Sequence, residues 1–379
     1  MTVRTPTETQ PDQTQFGKPQ LANQPAETRP AETGPAEAGP AEAGPAETAQ
    51  AQMIRMLQAP LLTQALAVAA ELEIAELLAR GPKSVERLAR EANADPDGLY
   101  RMLRALATAG VFSEVAPRSF ASTPLAETLR EGAGSLRNWA RLWTIEERTA
   151  AIGALMYSVR TGKPAFPRLH GASWWDQLSD RPDQASVYAA AMGELSRELH
   201  TDAAAAYDLS EVGTLIDIGG GRGHLIATLL RRNRRLRAVL FDQPGVVRHA
   251  GPVLAEAGVT DRATVIGGDF FDNVPAGGQA YLMSMILHGW DDAQATTILT
   301  NVRQAMPAGS VLLVIDAIVP AGDLAHDGKL RDLITLALHP GRERTEAEFA
   351  RLFTAAGLRL RESRRVSGST GLLIAEPAG

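Results

Sequence analysis

The sequence contains no cysteine. Disulfide bonds, thiolate nucleophiles and zinc sites built on sulfur are therefore excluded. The lack of disulfide bonds fits a cytoplasmic protein, and we expect this protein in the cytoplasm. The amino-terminal region is polar and rich in proline, and we expect no long apolar run. A membrane span needs about 18 apolar residues in succession, so we expect neither secretion nor membrane insertion.

An excess of positive charge is lacking as well. Lysine and arginine number 38 against 44 aspartates and glutamates, which gives a formal net charge of -6. Affinity for nucleic acid or anionic lipid comes from clustered basic residues that neutralise phosphates, so we expect neither as a partner. A Walker-type loop ending in Gly-Lys-Ser/Thr is absent too, which argues against ATP and GTP.

The 379 residues are enough for two domains that each bury a core, preceded by a tail. Residues 1–50 hold one aromatic, Phe16, and a five-residue Pro-Ala-Glu repeat that starts at Pro25. Such a segment cannot bury enough apolar surface to offset the entropy of ordering it. We predict a disordered tail at 1–50, a helical domain at 51–200 and an α/β domain at 201–379.

The first part of the helical domain has the pattern of a winged helix. Apolar residues recur at helical spacing over 53–80 with an interruption at Pro60, and two further helices and two short strand-like pieces follow up to residue 130. A winged helix can bind DNA, so a DNA-binding regulator is one alternative. Residues 81–131 contain as many acidic as basic side chains, however, which is a poor match for a phosphate backbone.

Residues 135–200 are rich in large side chains that suit either a core or a pocket wall. We take Trp143, Met156 and Met192 as candidate pocket residues. Flat rings bury well against tryptophan and methionine, so the pattern indicates an aromatic or polycyclic ligand. Polyketide, phenazine, indole and phenol all remain open.

From Thr214 onward, short apolar runs alternate with helical stretches, which is typical of a parallel sheet covered by helices on both faces. The predicted strands are 214–218, 238–241, 263–266, 280–287, 311–315, 358–366 and 372–375. The last two runs are separated by Gly368 to Gly371, which leaves no room for a helix. We predict that they form a hairpin, with one strand antiparallel to the rest of the sheet.

A glycine-rich turn, Asp217-Ile-Gly-Gly-Gly-Arg-Gly223, ends the first of these strands and opens a helix. Glycines there let a nucleotide-like ligand approach the main chain and the helix N-terminus. About twenty residues later, Asp242 ends the next strand, where a carboxylate can accept hydrogen bonds from both ribose hydroxyls. A dinucleotide fold would also place a third glycine at position 224, which is His224 here, so the NAD interpretation is weakened.

These motifs carry a family resemblance. The stretches 215–224, 241–244 (Phe-Asp-Gln-Pro), 267–271, 287–292 and 341–345 (Gly-Arg-Glu-Arg-Thr) together resemble the caffeic-acid-type O-methyltransferases of plants and their bacterial relatives in antibiotic biosynthesis. The resemblance implies a Rossmann-like class I methyltransferase domain, S-adenosylmethionine (SAM) as the cofactor, and a homodimer formed through the winged-helix domain. The cofactor-binding residues that it implies are Gly219, Gly221, Asp242, Asp269, Phe270, Ser284 and Arg160.

His288 stands just past the fourth strand of the predicted sheet, at the edge where ligands bind. In the family, the histidine of this motif removes the proton of the acceptor hydroxyl, a task that suits an imidazole of pKa near 6.5. The resemblance places Asp316 and Glu343 beside it as flanking acids, and His339 is a candidate for contact with the acceptor. Methyl transfer is a displacement at carbon and needs no metal, so its other requirement is alignment of donor and acceptor.

The same scaffold leaves a second enzymatic alternative open. Some bacterial members of the family bind SAM yet promote hydroxylation or decarboxylation of polyketides. The presence of His288 favours methyl transfer. The adjacent Asp291 and Asp292 fit the start of a helix better than a ligand site, because negative charge complements the helix dipole there.

Overall fold

A computed structural model describes residues 48–378, apart from three side chains of one helix. Almost all of the predicted tail, 1–50, lies outside the described residues. Residues from Ile54 onward form one compact unit.

Helices and strands are numbered here in chain order. The helices are α1 (Ala49–Glu71), α2 (Ile74–Leu78), α3 (Val85–Glu91), α4 (Pro96–Thr108), α5 (Pro124–Glu127), α6 (Arg137–Arg141), α7 (Glu146–Gly153), α8 (Leu155–Thr161), α9 (Ala165–His170), α10 (Trp174–Asp180), α11 (Pro182–Ala206), α12 (His224–Arg232), α13 (Pro244–Val247), α14 (Ala250–Glu256), α15 (Asp292–Ala305), α16 (Asp327–Leu338) and α17 (Glu346–Ala355). The strands are β1 (Lys83–Ser84), β2 (Phe112–Ala116), β3 (Ser119–Ser122), β4 (Thr214–Ile218), β5 (Arg237–Asp242), β6 (Ala263–Gly267), β7 (Ala280–Ser284), β8 (Val311–Ala317), β9 (Leu358–Ser367) and β10 (Thr370–Pro377). Short 3-10 helices cover Leu142–Thr144, Thr260–Arg262 and Leu287–Gly289.

Helix α1 departs from the sequence prediction in two ways. Pro60 lies inside the helix without ending it, and the break comes instead before α2, where Glu73 takes a left-handed conformation with φ 54°. Proline deprives the carbonyl of Met56 of its partner, and water can replace that partner because Met56 is exposed. The helix is also long and apolar enough to cross a membrane by length and composition, with a mean hydropathy of 1.3, although helices of soluble proteins pass the same test. The expectation that no such stretch exists was therefore wrong.

The winged helix is confirmed. Helices α3 and α4 are followed by the hairpin β2–β3, and the two-residue strand β1 pairs with β3 to give an antiparallel sheet of order β1-β3-β2. The core beneath it is formed by apolar side chains from the helices and the hairpin. They include Ile74, Val85, Leu88, Leu103, Leu106 and Phe120.

The α/β domain contains a sheet of order β6-β5-β4-β7-β8-β10-β9, with each predicted strand present. All pairs among β4 to β8 are parallel, whereas β10 is antiparallel to both β8 and β9, as the predicted hairpin requires. Apolar clusters cover both faces of the sheet. Helix α11 continues to Ala206, so the predicted boundary at residue 200 falls inside a helix.

The strand order fixes the location of the crevice. Chain order reverses between β4 and β7, which lie side by side at the centre of the sheet. In open parallel sheets, ligands bind at such a switch point, outside the carboxyl ends of the strands. The turns that follow β4, β5, β6, β7 and β8 all meet at this edge.

Candidate active site

The glycine turn after β4 has the backbone that the sequence predicts. Gly219 and Gly221 have φ values of 72° and 63°, a region that residues with a Cβ rarely adopt. A Cβ on Gly219 would overlap the side chain of Ile286, whereas the space beside Gly221 is open to 4 Å. Gly219 is therefore required by both its conformation and its packing, and the open space beside Gly221 suits close approach by a nucleoside.

Asp242 ends β5 beside this turn. Its Oδ2 accepts a hydrogen bond from the amide of Gly221 at 2.8 Å, and its Oδ1 accepts one from the amide of Gln243 at 2.6 Å. Burial raises the pKa of Asp242, and these two backbone hydrogen bonds oppose the rise. Each oxygen keeps a second lone pair, so the oriented carboxylate can still accept hydrogen bonds from two ribose hydroxyls. These residues fit the nucleoside part of SAM.

A second carboxyl group, Asp217, was not among the predicted site residues. It lies on β4 and is completely buried, and its Oδ2 has no hydrogen-bond partner in the described part of the chain. Burial, followed by the nearby charge of Asp242, raises the pKa of Asp217 to about 7. The available signal was an acidic residue within the apolar run of β4, because such a group is costly to bury without a role.

Asp269 and Phe270 follow β6, the next strand outward. Asp269 is exposed, and its Oδ1 accepts a hydrogen bond from the amide of Phe271 at 2.8 Å. The ring of Phe270 packs edge-on against Trp290 with 5.8 Å between centroids, and its carbonyl accepts a hydrogen bond from Asn301 at 2.9 Å. Both residues thus stand at the same sheet edge as Asp242, on a loop held by side-chain contacts.

The segment that leaves β7 carries the predicted base. Ser284 is half-buried at the end of β7, and Met285 follows it with a φ of 57°, a strained value for a non-glycine residue. His288 then lies in the 3-10 helix Leu287–Gly289, and its Nδ1 is 3.0 Å from Oδ1 of Asp316 on β8. The structure therefore brings the predicted base and its first flanking acid into direct contact.

Asp316 is completely buried and well supplied with donors. Besides the imidazole, the amide of His288 donates to it at 3.2 Å and the amide of Ala317 at 3.0 Å. An ionised carboxylate can only accept hydrogen bonds, so Nδ1 of His288 must carry the proton in this pair. The Nε2 atom is then the basic nitrogen of the neutral ring.

Glu343, the second flanking acid, is buried near this pair. Its Oε1 lies 3.4 Å from Nε of Arg331, while its Oε2 has no hydrogen-bond partner among the described residues. Burial raises the pKa of Glu343 to about 7. For His288, burial disfavours the charged imidazolium, but the charge and hydrogen bond of Asp316 and the charge of Glu343 outweigh it, so the pKa of His288 is raised.

His339 adjoins the same group. Burial, followed by the charge of His288, lowers the pKa of His339 to about 3, so this ring is neutral at physiological pH. Its centroid is 5.6 Å from that of Trp175, and its Nδ1 is buried with no partner in the described residues. A neutral ring with an open hydrogen-bonding position is suited to contact with a polar group of an acceptor.

The remaining predicted site residues have no described contact with His288 or Asp242. Met192 packs against the apolar cluster of α9 to α11, and Trp143 lies under the guanidinium of Arg148 at 4.8 Å. Met156 is 64% exposed on α8, and Arg160 is exposed near the end of the same helix. Among the described contacts, none joins Met156 or Arg160 to His288 or Asp242.

Comparison with known proteins agrees with this geometry. Residues 54–132 match the O-methyltransferase dimerisation domain, and residues 153–359 match the O-methyltransferase domain. The chain is 40% identical over 324 residues to the phenazine O-methyltransferase of Lysobacter antibioticus, which covers 86% of this chain and 94% of that protein. It is 37% identical over 310 residues to the mitomycin biosynthesis 6-O-methyltransferase of Streptomyces lavendulae, with 81% and 88% covered. It is also 36% identical over 317 residues to the aclacinomycin 10-hydroxylase of Streptomyces purpurascens, with 81% and 84% covered.

Solved structures give the same result. The mitomycin 7-O-methyltransferase matches with a TM-score of 0.83 and 35% identity, covering 87% of this chain and 98% of that one. An O-methyltransferase of neocarzinostatin biosynthesis, solved with SAM and a hydroxy-methyl-naphthoic acid, matches with a TM-score of 0.74 and 33% identity, covering 83% and 95%.

Proposed function

The chain belongs to the O-methyltransferase family, and from that premise we propose that it methylates a phenolic hydroxyl of an aromatic or polyketide-type secondary metabolite, with His288 as the general base. It is a SAM-dependent methyltransferase with a Rossmann-like catalytic domain and an amino-terminal dimerisation domain. When bound, SAM supplies an electrophilic methyl group on a sulfonium centre.

The observation that carries the proposal is the hydrogen bond between Nδ1 of His288 and the buried carboxylate of Asp316. It fixes the tautomer in which Nε2 is free to accept the proton of an acceptor hydroxyl. Asp316 also stabilises the imidazolium that forms when the proton arrives, and Glu343 adds a second negative charge nearby when it is ionised. The three residues therefore act as one proton-accepting group.

The acceptor is inferred from the surroundings of His288. Trp175, which is 37% exposed, and His339 provide rings suited to a flat aromatic molecule, and the partly buried Met192 is a polarisable side chain beside the same group of aromatic residues. Relatives named for phenazine and naphthoate substrates support the same class. We take the cytoplasm as the compartment and a homodimer as the assembly.

A second candidate is hydroxylation on the same scaffold, which is favoured by the similarity to the aclacinomycin 10-hydroxylase. Both activities would use the glycine turn and Asp242 to bind the nucleoside. They differ in their need for a base at His288, so one substitution separates them.

The test is His288→Ala, assayed with labelled SAM and a panel of phenols. Loss of a general base lowers turnover about 10² to 10⁴-fold, while SAM affinity measured by calorimetry should change only a few-fold. Raising the pH should partly restore activity, because a phenol with pKa near 10 then ionises unaided. His288→Asn should do no better than His288→Ala, since an amide cannot take up the proton. Turnover close to wild type at neutral pH would refute the role of His288.

A further inference from the structure

The guanidinium group of Arg344 is completely buried beside the segment that carries His288. Its Nη1 donates to the carbonyl of Leu287 at 2.7 Å, and its Nη2 donates to the carbonyl of Trp290 at 2.8 Å. These two carbonyls lie on either side of His288 in the sequence. A single planar group therefore spans the turn on which the imidazole is mounted.

The charge of Arg344 is balanced by Asp292, the first residue of α15. Oδ1 of Asp292 accepts from Nε at 3.0 Å and from Nη2 at 2.8 Å. A buried cation is tolerated when it is paired and its donors are satisfied, and both conditions hold here. The flat fork of an arginine directs separate N–H groups at a carboxylate and two separated carbonyls, an arrangement that the single nitrogen of a lysine does not reproduce.

The backbone of Arg344 is hydrogen-bonded just after β8, the strand that carries Asp316. The amide of Val319, just after β8, donates to the carbonyl of Arg344 at 2.9 Å. Three residues earlier, the backbone of Gly341 lies so close to His288 that a Cβ there would overlap the carbonyl oxygen of His288. The segment 341–344 thus ties His288 to the exit of β8, the strand of Asp316.

The His288 segment needs such external support. It leaves β7 through the strained backbone of Met285, and it contains only one turn of 3-10 helix before α15 begins. Short 3-10 turns have poor hydrogen-bond geometry of their own. We propose that Arg344 is a positioning residue, which holds the imidazole of His288 in register with Asp316 and contacts neither the acceptor nor the cofactor. This inference rests on the proposed role of His288 as the base.

The test is Arg344→Lys, which keeps a positive charge opposite Asp292 but cannot bind both carbonyls. A small misplacement of a reacting group can lower turnover as much as 10²-fold, so we expect kcat to fall about 10 to 100-fold. The KM for SAM should stay within about three-fold, because the SAM residues are untouched. In NMR titration of imidazole-labelled protein, the pKa of His288 should move toward the free value near 6.5 as its bond to Asp316 weakens.

Thr345→Ala is the matched control for general destabilisation. Thr345 is the next residue, and it caps α17 by bonding to Glu348 without touching the His288 segment. This variant should lose stability but keep kcat within about three-fold of wild type and leave the titration of His288 unchanged. Asp292→Asn is the second variant, because the side chain of Asp292 is 59% exposed and an amide oxygen can still accept a hydrogen bond from Arg344 while the balancing charge is lost. It should shift kcat and the pKa of His288 in the same direction as Arg344→Lys, by a smaller amount.

Two results would overturn the inference. One is an unchanged His288 titration in both Arg344→Lys and Asp292→Asn. The other is an equal loss of kcat in Thr345→Ala, which would assign the effect to stability alone. The titration is measured without an acceptor, so failure of the base hypothesis, seen in His288→Ala, can be told apart from failure of this one.

Discussion

Two carboxyl groups at the ends of neighbouring strands, Asp217 and Asp242, differ in what they can bind. Both oxygens of Asp242 are oriented by backbone amides, whereas Asp217 lies deeper and has an oxygen without a described partner. We expect Asp242→Ala to weaken SAM binding by about 1–3 kcal/mol, through loss of charge-assisted hydrogen bonds to the ribose. Calorimetry measures this, with Asp261→Ala, an exposed residue of the 3-10 helix Thr260–Arg262, as the control. Unchanged affinity in Asp242→Ala would remove it from the site.

The pH dependence of the reaction follows from the environment of His288. A base must be neutral to accept a proton, and the pKa of His288 is raised because Asp316 and Glu343 outweigh burial. The rate constant kcat/KM should therefore rise with pH, and its midpoint should lie above the free value of about 6.5. Glu343→Gln removes a negative charge, lowers the pKa of His288 and should move the midpoint to lower pH. Glu362→Gln, on exposed β9, should not move it, and a wild-type midpoint at or below 6.5 would contradict the argument.

Sequence patterns predict a site residue best when its position follows from a single strand-turn-helix unit. The glycine turn and Asp242 follow from their spacing along a strand-turn-helix unit. The place of His288 after β7 predicts only that it lies at the ligand-binding edge, and its role as the base came from the family resemblance. The partners of His288 are different, because Asp316 and Glu343 approach it only through the order of the strands, and the family resemblance supplied them. Arg344 stands in the 341–345 motif, but no role could be predicted for it, since its hydrogen bonds join segments that are far apart in the sequence.

At the scale of elements, the strands of the large sheet were predictable because buried parallel strands are short apolar runs between helices. The predicted interruption of α1 at Pro60 was wrong. The helix continues because water can replace the backbone hydrogen bond that the proline removes. The start of α15 was predicted correctly. Asp291 caps it by accepting from the amide of Gln294 at 2.8 Å, and Gln294 completes a capping box.

This cap gives a prediction for stability. Asp291→Ala should lower the free energy of unfolding by about 1 kcal/mol, because the first turn of α15 loses its acceptor. That corresponds to a fall of roughly 2–4 °C in melting temperature for a domain of this size, measurable by calorimetry. Asp291→Ser preserves a capping oxygen and should remain close to wild type. Equal losses in the two variants would show that the cap is not the cause.

At the scale of the whole molecule, the exposed apolar face of α1 indicates the dimer. Leu57 and Leu61 are 73% and 72% exposed and lie one helical turn apart, within the match to the dimerisation domain. Two exposed leucines on one face are unfavourable in water unless another surface covers them. The double variant Leu57→Glu/Leu61→Glu should be a monomer by light scattering at micromolar concentration, where the wild type is a dimer. Leu324→Glu, at a site 65% exposed on the loop after β8, should stay dimeric, and a dimeric double variant would assign the interface elsewhere.

The antiparallel strand β10 has a consequence for the order in which the protein is made. It lies between β8 and β9, and Gly371 pairs directly with Asp316. On a ribosome, β8 emerges well before β10, with α16, α17 and β9 synthesised in between. Until residues 370–377 arrive, the strand that bears the acid has an unpaired edge, which is the kind of surface that nascent chains aggregate through. The nucleoside site, built from β4 to β6, can form early in translation, whereas the proton-accepting site is completed only when β10 closes the sheet.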